Sequence, residues 1–122
     1  MQHLNEHGEQ VTVVKWASWQ SKQWPELNLL FAVPNGGARD VITGAKMKRE
    51  GQKRGVPDLC LPVPRGEYAG LFIEMKTAKG RLTPEQAEWL KALNRQGYRA
   101  EVCHGADAAI RLIQEYLHEK TL

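Results

Sequence analysis

The 122-residue sequence has few cysteines, no long apolar run and no recognisable leader. Cys60 and Cys103 form no C-x-x-C pair, so we interpret them as small core residues in a reducing compartment. No stretch approaches the roughly 20 apolar residues that a membrane span requires. The N-terminus lacks a basic segment followed by an apolar one, which argues against a signal peptide. We therefore expect a single domain over residues 1–122 with no membrane partner.

Charge is also scarce overall, because the net charge is only +3 and does not by itself indicate a nucleic-acid partner. Its distribution is more informative. Residues 39–54 contain six basic side chains against two acidic ones, an excess larger than that of the whole chain. Such runs are usually solvated faces, but this one leads directly into the most unusual strand of the sequence. We predict that a phosphate backbone is bound there without base readout, by residues drawn from Arg39, Lys46, Lys48, Lys53 and Arg54.

The strand predicted over residues 58–63 and the next one, over residues 70–76, are short, apolar and separated by turn residues. This pattern predicts a hairpin centred near Gly66. Three charges, Asp58, Glu74 and Lys76, interrupt the apolar runs, although burying a charge costs several kcal/mol. Glu74 and Lys76 point to one face, and the hairpin places Asp58 opposite Glu74. Two adjacent carboxylates repel unless a cation lies between them, and oxygen ligands suit Mg²⁺ or Mn²⁺. The alternative is an ordinary solvated hairpin face.

The remaining pattern predicts helices and strands in the order α-β-(short α)-β-β-α-β-α, and therefore a mixed four-stranded sheet flanked by helices. Thr83 and Gln86 form a capping-box pattern around Pro84, which is a structural reason for Gln86. The predicted ranges are helix Glu6–Trp24, strand Leu27–Val33, short helix Val41–Glu50, strands Asp58–Val63 and Gly70–Lys76, helix Pro84–Gln96, strand Arg99–His104 and helix Ala106–His118.

The first predicted helix carries acidic side chains where packing alone does not require them. Glu6 lies on the same helix face as Gln10 and the apolar side chains that we predict to face the core, among them Val13 and Val14, and Glu9 lies at its edge. The structural alternative is that both acids are favoured by the helix dipole in the first turn. Two large apolar side chains, Trp19 and Val11, project away from the inner face, with Trp16 on its flank, and such clusters often mark an interface.

The spacing of Pro57-Asp58 and Glu74-Met75-Lys76 resembles the PD-(D/E)xK nuclease signature. A longer pattern is similar to the VRR-NUC branch of that superfamily, in its small stand-alone phage-type form, and extends from about residue 6 to the last helix. It comprises Val33-Pro34-Asn35-Gly36-Gly37, Gly55-Val56-Pro57-Asp58-Leu59 and Phe72-Ile73-Glu74-Met75-Lys76.

This resemblance implies a restriction-endonuclease-like αβββαβ core and Mg²⁺-dependent hydrolysis of DNA phosphodiester bonds. The implied metal ligands are Asp58, Glu74, the Met75 carbonyl and Glu6, with Glu9 as the second choice for the first-helix acid. Lys76 would orient water or stabilise charge on phosphorus, and Gln86 matches a glutamine that the family carries after E-x-K.

The resemblance further implies that Asn35 lies near the scissile strand, although Pro34-Asn35-Gly36-Gly37 is by default a tight turn. Stand-alone relatives are similar to dimeric junction resolvases, so we expect a homodimer acting on branched DNA in the cytoplasm of a bacterial or phage-infected cell. Two alternatives remain. One is a non-catalytic nucleic-acid-binding module on a nuclease scaffold, and the other is an enzyme acting on a small phosphorylated ligand.

Overall fold

The computed structural model describes residues 5–34 and 48–119. In these ranges the main elements are three helices and four strands, with one 3-10 helix before the first strand and three successive strands before the second helix. None of the helices in these ranges is long and apolar enough to cross a membrane. The elements are α1 (Glu6–Gln20), the 3-10 helix (Pro25–Leu29), β1 (Phe31–Ala32), β2 (Leu59–Leu61), β3 (Leu71–Lys76), α2 (Pro84–Arg95), β4 (Arg99–His104) and α3 (Ala106–His118).

The four strands form one mixed sheet in the order β1-β2-β3-β4. The β1-β2 and β2-β3 pairs are antiparallel, and β3 pairs with β4 in parallel. The parallel pair is possible because α2 carries the chain back between β3 and β4, as parallel strands require a crossover. The predicted mixed four-stranded sheet flanked by helices is confirmed.

The predicted hairpin register is also confirmed. Leu59 pairs with Ile73 and Leu61 with Leu71, so the turn is centred on Gly66. Leu59, Leu61, Leu71 and Ile73 are each at most 1% exposed. They belong to a core cluster that also contains side chains of α1 and α3, among them Val13, Ala17, Ala109, Ile113 and Tyr116.

The prediction of a strand over residues 27–33 was wrong for most of its length. Residues 25–29 form the 3-10 helix, and β1 has only two residues. Pro25 occupies the start of this helix, and the Asn28 side chain donates to the Pro25 carbonyl at 3.1 Å. Such local hydrogen bonds from an asparagine compete with strand pairing.

The first helix is shorter than predicted, because α1 ends at Gln20 rather than at Trp24. The Ser21 hydroxyl donates to the Ser18 carbonyl at 2.7 Å, and the Trp24 amide closes a turn onto the Gln20 carbonyl at 2.8 Å. Val14, which we predicted to face the core, is 43% exposed. The predicted short helix over residues 41–50 lies mostly outside the described residues.

The second half of the chain folds nearly as predicted. The bounds of β4 and α3 are those of the prediction, and α2 ends one residue earlier, at Arg95. The capping box is present, since the Gln86 amide donates to the Thr83 hydroxyl at 3.2 Å and the Gln86 side chain accepts from the Thr83 amide at 2.9 Å. Local sequence signals therefore determine where α2 begins.

Candidate functional site

The C-terminal half of β3 buries two charged side chains. Glu74 is 2% exposed and Lys76 is 6% exposed. Their spacing of two residues places both on the face of β3 opposite to that of Leu71, Ile73 and Met75. The strand folds this way because its apolar residues alternate with these charges and because β2 and β4 pair with it on both sides. The sheet therefore holds two ionisable groups in its interior.

Asp58 lies immediately before β2, next to Glu74. The register that pairs Leu59 with Ile73 brings Asp58 opposite Glu74, as the sequence predicted. The Met75 amide donates to Asp58 Oδ2 at 2.8 Å, which fixes this carboxylate against β3. Burial raises the pKa of Glu74 to about 9, and the hydrogen bond and charge of Asp58 add to this rise. The fold thus maintains two carboxyl groups in contact at an electrostatic cost.

Lys76 and Gln86 complete the surroundings of Glu74. Lys76 Nζ lies 3.9 Å from Glu74 Oε2 and 3.8 Å from Glu6 Oε1. Gln86 Nε2 donates to Glu74 Oε2 at 3.3 Å. Gln86 therefore both caps α2 and contacts Glu74. Glu6 is half exposed, which leaves the site open to solvent on the side of α1.

Glu9, the second choice for the first-helix acid, has a different partner. Its carboxylate accepts a hydrogen bond from the Ala106 amide, at the start of α3. Gly105 precedes this helix and offers no side-chain cap, so an acceptor from another element satisfies the free amide. Sequence reasoning missed this role of Glu9. The glycine at the start of α3 was the one available signal that a cap had to come from elsewhere.

Three of the predicted DNA-binding residues, Asn35, Arg39 and Lys46, lie outside the described residues. The other three, Lys48, Lys53 and Arg54, are all exposed. Their side chains belong to the segment that leads into Asp58. The structure therefore leaves these cations accessible on the chain segment that enters the site.

The oxygen donors present are suited to a hard divalent cation. Asp58 and Glu74 supply two carboxylates that otherwise repel each other, and the Met75 carbonyl belongs to the same strand. Within residues 5–34 and 48–119, no group of three or more acidic, histidine or cysteine side chains is arranged to hold a metal. Mg²⁺ does not need such a cage, since it commonly uses one or two carboxylates and keeps several waters. The donor set therefore fits Mg²⁺ or Mn²⁺.

Comparison with known proteins agrees with this arrangement. The sequence model of the VRR-NUC domain family matches residues 1–107. The chain belongs to the VRR-NUC domain family. A solved structure described as a VRR_NUC domain protein is 34% identical and superposes with a TM-score of 0.86, covering 99% of this chain and 94% of that one. No curated protein matches the chain at a significant level. This VRR-NUC domain is thus of a nuclease type, and nucleic-acid binding follows from the family.

Proposed function

We propose that this VRR-NUC domain is a Mg²⁺- or Mn²⁺-dependent endonuclease that hydrolyses DNA phosphodiester bonds, with a preference for branched DNA. The observation that carries the proposal is the convergence of Asp58, Glu74 and Lys76 at one end of a buried strand pair. A fold selected only for stability gains nothing from burying these groups, because apolar residues of similar volume are often as stabilising or more so. Retention of all three groups therefore favours catalysis over a non-catalytic scaffold.

Each side chain has a role that its position supports. Asp58, Glu74 and the Met75 carbonyl would hold the divalent cation, and Glu6 would support the site from α1. The cation, when bound, supplies Lewis acidity for the phosphoryl oxygen and the attacking water. Lys76 orients that water or stabilises the charge that develops on phosphorus. Gln86 holds the Glu74 carboxylate through the 3.3 Å hydrogen bond.

Lys48, Lys53 and Arg54 bind the phosphate backbone in this proposal. They are exposed and precede Asp58 by ten residues or fewer. Phosphate contacts give affinity without sequence information, so neutralising all three should weaken binding to every sequence alike. The salt slope of binding should fall by about one unit for each lost contact. An unchanged slope in the triple variant would show that these residues are merely solvated.

Resolving a four-way junction requires two nicks related by symmetry, which a homodimer can supply from its two sites. The side chain of Trp19 is 77% exposed on α1, and Val11 on the same helix is 36% exposed. An exposed tryptophan of this kind is suited to an interface between two copies. Trp19→Glu should therefore convert a dimer to a monomer that still unfolds cooperatively, with an unfolding midpoint that no longer depends on protein concentration. Light scattering that shows a wild-type monomer at tens of micromolar would contradict the dimer.

A cleavage panel tests the proposed activity. We expect the wild-type protein to nick four-way junctions and flaps faster than linear duplex in Mg²⁺, and to be inactive in excess EDTA. Asp58→Asn should bind the same DNA without cleaving it, since the carboxylate is lost and the side-chain shape is kept. Binding without cleavage by the wild-type protein would favour the non-catalytic module. Cleavage that survives EDTA would exclude the metal-dependent mechanism.

A further inference from the structure

A cleft of about 330 Å³ lies between the end of β1, the loop before β2 and helix α2. Its walls include Val33, Val56 and Trp89, with Gln52 and Lys53 among the polar groups. This volume is at the lower end of the range of about 300–1,000 Å³ found for small-molecule sites. The cleft is thus suited to a single flat group rather than to a large ligand.

The cleft adjoins the paired carboxylates. The amide of Val33, in one wall of the cleft, donates a hydrogen bond to the Asp58 carbonyl at 2.8 Å. This wall is therefore bonded directly to the backbone of the site residue Asp58. Val56 precedes Asp58 by two residues, a distance of at most about 7 Å along an extended chain. Trp89 follows Gln86 by three residues and therefore lies on the same side of α2, one turn further on.

The loop that forms the cleft packs tightly against α2. Gly55 has a φ of +89°, and a Cβ atom at this position would lie 2.7 Å from the Glu85 carbonyl carbon. Because only glycine fits this close approach, the loop and α2 form one fixed surface. The cleft is therefore preformed next to the site.

The chemistry of the cleft suits a nucleobase. Trp89 is partly exposed, whereas its neighbour Leu90 is the buried residue of α2. An aromatic ring flanked by apolar walls stacks on any base, and a nearby cation neutralises the adjoining phosphate. Lys53 is an exposed cation at this cleft, and Glu50 lies at its rim. A second cleft that also includes Trp89 contains Arg54 with two acidic side chains, Glu85 and Glu88, and so suits a nucleotide less well.

We propose that the first cleft holds one unpaired nucleobase of the DNA substrate beside the scissile phosphate, with Trp89 as its stacking platform. This inference rests on the proposed function, since it requires that the site acts on DNA. It also narrows the substrate to branched DNA with an unpaired nucleotide at the branch point. Fully paired DNA would leave the cleft empty and would bind without this contribution.

Binding to a forked duplex tests the inference separately from cleavage. The fork carries one unpaired thymine at the branch, on either strand in turn, and a matched fork carries an abasic residue there. Fluorescence anisotropy in EDTA measures affinity without turnover, so loss of activity in Mg²⁺ and loss of base binding are distinguished. For the wild-type protein, we expect removal of the base from one of the strands to weaken binding about 5- to 150-fold.

Trp89→Leu should weaken binding to the intact fork by the same factor, and the variant should no longer distinguish the intact fork from the abasic one. Trp89→Phe should retain most of the discrimination, because phenylalanine also stacks. Tyr98→Leu is the matched control, since Tyr98 is a partly buried aromatic residue that packs on Phe72 at the other end of β3. It should discriminate like the wild type.

Two results would overturn the inference. One is a wild-type protein that binds intact and abasic forks equally on both strands. The other is a Trp89→Leu variant that weakens binding to both forks by the same factor, which would show a structural role. If Trp89→Leu fails to unfold cooperatively, the wild-type comparison and Trp89→Phe decide the question alone.

Discussion

The two faces of β3 are both buried, yet they carry opposite kinds of side chain. One face presents Leu71, Ile73 and Met75, each 1% exposed and each part of the core cluster. The other face presents Phe72, Glu74 and Lys76, of which the last two are charged groups that are at most 6% exposed. The same strand thus contributes apolar packing on one side and a charged cluster on the other.

Under the proposed function, the two faces divide stability and catalysis between them within six residues. Burial of a leucine side chain stabilises a fold by about 1.5–3 kcal/mol, whereas burial of an ionised group is costly unless it is paired. Phe72 still packs edge-on against Tyr98, with ring centroids 5.3 Å apart, so the charged face becomes polar only towards its C-terminal end. That end is where Asp58, Glu6 and Gln86 converge. We infer that the apolar face maintains the strand and that the charged face is kept for chemistry.

The largest expected effect comes from comparing one substitution on each face of β3. Leu71→Ala should lower the free energy of unfolding by about 2–5 kcal/mol, because it leaves a cavity in a closely packed core. Glu74→Gln should leave that free energy unchanged or higher at neutral pH in EDTA, yet abolish cleavage. Urea unfolding and a nicking assay on the same preparations measure both quantities.

Leu71 and Glu74 lie on one strand and on opposite faces, so each variant is the control for the other. Leu71→Ala should keep its activity per folded molecule, because Leu71 is at the end of β3 away from Lys76. A Glu74→Gln protein that unfolds as readily as Leu71→Ala would show that Glu74 is a structural residue, and the contrast between the faces would fail.

The next effect is the pH dependence of stability without metal. Burial holds the pKa of Glu74 at about 9, above its ordinary value of 4.5, so the folded state binds this proton more tightly than the unfolded state. This contribution to stability is complete below pH 4.5 and is lost as the pH rises towards about 9. We therefore expect wild-type stability in EDTA to fall over this window relative to that of Glu74→Gln. If the urea midpoints of the two proteins change with pH in the same way, the pKa of Glu74 is not raised as described.

A smaller effect distinguishes two acids one turn apart on α1. Glu9→Ala removes the cap from the Ala106 amide and should cost about 0.5–2 kcal/mol of stability, with cleavage retained by the folded protein. Glu6→Ala should change stability little, because this side chain is half exposed. It should lower the metal affinity, measured from the cleavage rate, about 10- to 100-fold. Thermal unfolding and metal titration of the cleavage rate measure the two effects. Exchanged phenotypes would restore Glu9 as the acid of the site.

The parts of the fold that the sequence predicted are those set by local signals. The alternation of apolar and charged residues and the turn at Gly66 fixed the register that brings Asp58 to Glu74. Thr83 and Gln86 fixed the start of α2 in the same way. The contact of Glu9 with Ala106 could not be predicted, because it joins positions 97 residues apart. The strand predicted from residue 27 failed because Pro25 and Asn28 favour a 3-10 turn over strand pairing.

Thermal unfolding with and without Mn²⁺ at pH 8 tests most directly whether the charged face of β3 is a metal site. Mn²⁺ should raise the wild-type unfolding midpoint in a concentration-dependent way, since a ligand that binds only the folded state stabilises it. Asp58→Asn and Glu74→Gln should show no such rise, and Leu71→Ala should show it from a lower starting midpoint. An equal rise in the wild type and in the double variant of Asp58 and Glu74 would place the metal elsewhere and would contradict a metal site on the charged face of β3.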